Sequence, residues 1–295
     1  MVNVTHVGFS DESNWNKGRL RSLGLVTAPV EHLAGLEEAA HKLLNESRVK
    51  ELAWKDLDGA KERFAAKKLC KFAVERACER KLRVDVLIWD TEDSRHHVPK
   101  RDDIGNLQRM YYHLFENVLR LRWPDNAVWR LYPDINSAMN WETVRGCLEA
   151  VSTNLVRENS LFTEGLDELK LRKEFGIEEI QPVADSSSRP LLQLADLFAG
   201  MAVFSRENFS GYQRWLKDAS PQSELFKESG EPQKLSGSAK ERFQVINYFD
   251  NKCKERSLGV GLKSTNGLQT YKPQNPLNFW KYEPQSPKDK APTRS

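Results

Sequence analysis

A chain of 295 residues can bury a large core without disulfide or metal staples. Its 39% hydrophobic and 29% charged residues suit a globular, enzyme-sized protein, and a net charge of +3 permits nucleic-acid binding without announcing it. No apolar run reaches the roughly 18 residues of a membrane span, no signal peptide opens the chain, and Cys70, Cys78, Cys147 and Cys253 form no CxxC pair, so a soluble, cytoplasmic protein with free thiols is expected.

Val2–Phe9 alternates and runs into Ser10-Asp11-Glu12-Ser13-Asn14, a strand followed by turn chemistry. Leu20–Ala28 predicts a second strand, stopped by Pro29. Leu33, Leu36, Ala40, Leu43 and Leu44 share one face of a helix over 31–47. Glu51–Lys55 reads as a short extended segment, and a helix from Ala60 to Lys81 would bury Ala65, Leu69, Phe72, Ala73 and Ala77. Val84–Trp89 is a buried strand closed by Asp90. The charged loop after it carries His96-His97; adjacent histidines point apart, so no shared metal is expected of them, while a general-base role stays open.

An amphipathic helix covers Ile104–Leu121. Ala127–Tyr132 is a strand ending in Pro133-Asp134, Trp141–Leu155 repeats at helical spacing, Ile177–Val183 is a weaker strand, and Pro190 opens a helix reaching Phe204. From Ser205 the chain is polar, with one clear helix over Glu241–Glu255, and 283–295 has the Pro, Lys and Ser content of a disordered tail. Alternating strands and helices predict an α/β core domain over 1–204, with a C-terminal extension, 205–282, packed on it.

The helix at 190–204 is apolar apart from Gln193 and Asp196, which are three apart and share a face, with Gly200 one turn on. Burying a lone carboxylate there is costly unless a cation or hydrogen-bond donor meets it. Asp11, Asp90 and Asp134 each stand where an apolar strand gives out, the edge at which α/β sheets bind ligands. Lys67, Lys68, Lys71, Arg76, Arg80 and Lys81 load one helix with charge, and Lys252, Lys254 and Arg256 another. Either face could meet phosphates, although a solvated helix surface is the simpler account.

These blocks resemble the bacterial and phage proteins grouped as domain of unknown function 3800. Ser10-Asp11-Glu12-Ser13 is similar to that family's Asp-Glu-Ser-Gly opening, with Asn14 in place of the glycine. Tyr132-Pro133-Asp134 looks like its later aspartate, and Leu192-Gln193-Leu194-Ala195-Asp196-Leu197 like its most distinctive signature. The likeness spans Val4 to Phe204, with a further familiar block at Leu277-Asn278-Phe279-Trp280. Glu51 matches the glutamate of the family's Glu-x-Lys element, while Lys55 stands two residues beyond its lysine.

The resemblance implies a ribonuclease H-like mixed sheet flanked by helices, in which acids from the first strand, a later strand and the final helix converge. Gathered carboxylates repel one another, and Mg²⁺ or Mn²⁺ resolves the conflict. Asp11 is the expected bridging ligand, Asp134 and Asp196 flank it, and Glu51 is a fourth. Asp90 competes with Asp134 for the strand position, and the family pattern favours Asp134.

The expected function is a metal-dependent nuclease, or a related phosphoryl-transfer enzyme, acting on DNA or RNA. The alternatives are a non-catalytic nucleic-acid or protein-binding module and a partner-dependent component of a phage-defence or mobile-element system. No Gly-rich phosphate loop, HExxH or GxSxG motif is present.

Overall fold

Strands β1 (His6–Ser13) and β2 (Leu20–Pro29) pair antiparallel across a turn that holds Asn14 at φ 60°, a left-handed conformation asparagine tolerates. The computed structural model describes residues 3–93, 101–149, 176–218 and 235–283. Pro29 ends β2 and α1 (Val30–Glu46) follows at once, burying Leu36, Ala40 and Leu44 at four-residue intervals. Then come α2 (Ala60–Cys78) and β3 (Arg83–Asp90). Helix α3 (Asp103–Phe115) is capped by Asp102, whose carboxylate accepts the Gly105 N–H at 2.7 Å, and runs into a π-helical turn at Glu116–Arg120. Next are β4 (Val128–Pro133), a helix α4 described over 141–149, and β5 (Gly176–Ile180). The remainder is α5 (Pro190–Glu207), α6 (Phe209–Asp218), α7 (Gly237–Glu255), a short ribbon of β6 (Val260–Gly261) and β7 (Gln269–Thr270), and β8 (Leu277–Lys281).

Among the described residues the main sheet has six strands in the order β5-β4-β1-β2-β3-β8. β2 runs antiparallel to both β1 and β3, whereas β4 runs parallel to β1, β5 to β4 and β8 to β3. Helices α1, α2, α5 and α7 cover one face over Phe9, Val26, Val84 and Val86, while α3 and α4 cover the other over Leu23, Leu25, Leu87 and Trp89. The chain is thus a mixed α/β protein with a central mixed sheet flanked by helices. No helix among the described residues is long and apolar enough to cross a membrane.

Three features differ from the sequence reading. β1 extends through Ser13, so Asp11 and Glu12 lie inside a paired strand and face opposite sides of the sheet. Glu51–Lys55 is not a strand: a loop leads into a 3₁₀ turn at Trp54–Asp56, because α5 side chains take the backbone donors that a strand would offer a neighbour. The expected division at 204/205 falls within α5, and β8 supplies the sixth strand. Asp85, fully buried in β3, fastens β8: Arg83 donates to both of its oxygens at 2.8 and 3.0 Å, and Asn278 of β8 donates at 3.1 Å. A buried carboxylate is tolerated when so fully bonded. The later part of the 141–155 helix, His96-His97 and the tail from 284 lie outside the described residues.

Candidate active-site cleft

Helix α5 lies directly on the sheet at Gly24, where a Cβ would come 2.3 Å from the Ala195 carbonyl oxygen. Only glycine permits that approach. Gly24 is the register partner of Asp11 in β1, so the same contact sets Asp196, the residue after Ala195, beside Asp11. Parallel pairing of β1 with β4 matches Ser10 to Pro133 and brings Asp134 to the same end, its N–H donating to the Ser10 carbonyl at 2.8 Å. Asp11, Asp134 and Asp196, remote in the chain, therefore line one cleft of about 420 Å³ together with Glu12, Glu51 and Lys55.

The Gln193-x-x-Asp196 spacing has a structural task as well. The Gln193 side-chain oxygen accepts the Leu52 N–H at 2.8 Å, and an Asp196 oxygen accepts the Trp54 N–H at 2.6 Å. One turn on, a Cβ at Gly200 would stand 2.3 Å from the Trp54 ring. The face of α5 thus clamps the loop that carries Glu51 and Lys55. Arg242 of α7 closes the loop from outside, donating to the Trp54 and Lys55 carbonyls at 3.2 and 2.8 Å with its guanidinium over the Trp54 and Phe204 rings. Arg242→Met keeps the stem and removes both bonds. It should lower the free energy of loop opening by about 1 kcal/mol, measured as faster hydrogen exchange at the Trp54 amide; unchanged exchange would detach α7 from the cleft.

Electrostatically the acids oppose one another. Burial, then the charges of Asp196, Asp134 and Glu12, push Asp11 well above the usual carboxylate range, against one backbone N–H from Glu12 at 2.7 Å. Burial lifts Asp196 to about 6, countered by the Trp54 N–H and by Lys55. Asp134 is raised by burial and by Glu51, and Lys55 offsets part of this. Lys55 is thus the cation that Asp134 and Asp196 both feel.

Glu12, to which the sequence reading gave no role, reaches the cleft from the other side of β1. Tyr111 donates to one of its oxygens at 2.7 Å and Asn136 to the other at 2.6 Å. Its place in the Ser-Asp-Glu-Ser block was the available signal. Glu51 lines the cleft and accepts from the Ser186 hydroxyl. Asp90 is not brought in. It ends β3, two strands from β1, and Arg19 grips both its oxygens at 2.9–3.2 Å, holding its carboxyl below the usual range.

The basic helix faces are laced with internal pairs: Lys68 with Glu46, Lys71 with Glu75, Arg76 and Lys81 with Glu79, Lys252 with Glu255, and Lys254 with Asp250. That is the pattern of a solvated helix surface.

The cleft offers carboxylate, amide, hydroxyl and ammonium groups, with no thiol or imidazole among its lining residues. Such a donor set suits a hard cation, Mg²⁺ or Mn²⁺, and the mutual repulsion of Asp11, Asp134 and Asp196 is the strain that a cation relieves. As the side chains stand, no three His, Cys, Asp or Glu groups among the described residues are disposed to hold an ion. Asp11 and Asp196 each give one oxygen to a backbone N–H, and Glu51 is turned to Ser186.

The fold and the cleft define a mixed α/β protein with an acidic crevice at the carboxyl ends of β1 and β4. No protein-family model matches the chain. It is 40% identical over 97% of its length, and 97% of theirs, to the uncharacterized protein ORF2′ of Methanothermobacter thermautotrophicus, and 38% identical, with the same coverage, to that organism's uncharacterized protein ORF2. The chain belongs to the family of these ORF2 proteins.

Proposed function

We propose that the chain is a divalent-metal-dependent nuclease, or a related phosphoryl-transfer enzyme acting on nucleic acid, with a ribonuclease H-like core of the domain of unknown function 3800 kind. One observation carries the reading: acids from the first strand, a later parallel strand and the late core helix line one cleft. The sheet supports it too, since an antiparallel β1-β2-β3 unit extended by parallel β4 brings those acids to one edge. The cysteines are free thiols, in keeping with work in the cytoplasm.

Asp11 and Asp196 would hold Mg²⁺ or Mn²⁺, with Asp134 and Glu51 completing the set. A cation there supplies an activated water and neutralises charge at the phosphodiester. Lys55 meets the anionic substrate at the mouth of the cleft, and Tyr111 and Asn136 fix Glu12 beside Asp11. The test is incubation of the full-length protein with Mn²⁺ and single- and double-stranded DNA and RNA. Cleavage that disappears with EDTA is expected. Binding without turnover of any of these substrates would favour the recognition-module reading instead.

A further inference from the structure

A second cavity, of about 530 Å³, opens at the amino-terminal edge of β3 and shares no lining residue with the acidic cleft. Its walls include Arg80, Arg83, Arg122 and Trp123, with Leu82 and Leu258 as apolar floor, and no carboxylate lines it. The acid whose charge Arg122 feels is Asp85, and its oxygens are already engaged. Both its oxygens accept from Arg83, and one also accepts from Asn278.

Arg122 is therefore a half-buried guanidinium beside a second one, with no ion pair among the described residues and an Nε that has no hydrogen-bond partner. Burial pushes it below its usual range; the Asp85 charge offsets part of this, and the smaller effect of the Arg83 charge works the other way. Arg80 adds another charge without an ion pair among the described residues. It does so from a left-handed backbone position, φ 58°, at the end of α2, a conformation that costs a non-glycine residue free energy. Unbalanced guanidiniums on the wall of a cavity are the arrangement that an oxyanion completes, and arginine forks match phosphate oxygens in pairs.

We infer that this cavity is a binding site for a small phosphorylated ligand of nucleotide size, Arg122 and Arg80 taking its phosphates and the Trp123 side its apolar or planar part. The volume is that of small-molecule sites, too confined for a duplex to enter. The inference does not depend on the reaction proposed for the acidic cleft.

Calorimetric titration of the full-length protein with ADP tests it, with inorganic phosphate and a short single-stranded oligonucleotide as comparison probes. ADP should bind with one site, Arg122→Gln should weaken it roughly tenfold or more, Arg80→Gln should weaken it less, and Asp11→Asn should leave it unchanged. Retained secondary structure in circular dichroism shows that each variant is folded. Failure of the wild-type protein to bind either ADP or phosphate overturns the inference. So does equal ADP affinity in Arg122→Gln, loss of ADP binding in Asp11→Asn, or binding of the oligonucleotide alone.

Discussion

Asp11→Asn should reduce metal-dependent cleavage by about a thousandfold or more, roughly 4 kcal/mol of barrier, and leave the fold intact. Asparagine has the size of aspartate, and its side-chain oxygen can still accept the Glu12 N–H that Asp11 accepts at 2.7 Å. What it lacks is the charge. Asp11 is the acid on which the fields of Asp196, Asp134 and Glu12 converge, so it is the position where a cation gains most. Asp196→Asn should behave alike, whereas Asp90→Asn should cleave normally because Arg19 already occupies that carboxylate. Kinetics of the three variants at saturating Mn²⁺ make the check, and full activity in both Asp11→Asn and Asp196→Asn would remove the cleft from the chemistry.

The second large effect is on stability, in the opposite direction. Asp196 titrates near 6 in the folded protein against 3.8 for the free side chain. A carboxyl whose folded value is raised favours folding in acid and opposes it once ionised. Its cost is absent below about pH 4, grows as pH rises through 4 to 6, and is complete above that range, at about 3 kcal/mol. Asp196→Asn removes the charge while keeping an acceptor for the Trp54 N–H. The metal-free variant should therefore be more stable than wild type at pH 8, and the gain should vanish near pH 4. Saturating Mn²⁺ should narrow the gap, because it stabilises only the chain that binds it. Denaturant melts at the two pH values with and without Mn²⁺ read all of this. An equal difference at both pH values would show that Asp196 is not strained by its surroundings.

Much of this arrangement was legible in the residues. Strand and helix periodicity located the principal elements, because each presents a regular apolar face to one of two cores. Gln193 and Asp196 stood out as the only polar groups between Pro190 and Phe204. Their partners did not, since nothing in Leu52 and Trp54 announces that their backbone donors are given to another element. Asp90 looked like Asp134 in sequence, each an acid after an apolar run. What separates them is lateral position in the sheet and the reach of Arg19, both products of topology. β8 was hidden for a similar reason. A five-residue strand has little periodicity of its own, and its place beside β3 rests on the long-range match of Asn278 to Asp85.

The central claim is that the carboxylates of Asp11, Asp134 and Asp196 share a cation, although Asp11 and Asp196 now each lean on a backbone donor. A crystal structure of the full-length protein soaked in Mn²⁺, with anomalous diffraction recorded for the metal, tests it most directly. The account predicts an anomalous peak in the cleft bounded by Asp11 and Asp196, with Asp134 or Glu51 drawn toward it. No peak there at saturating Mn²⁺, with Asp196 still on Trp54 and Glu51 still on Ser186, would contradict it.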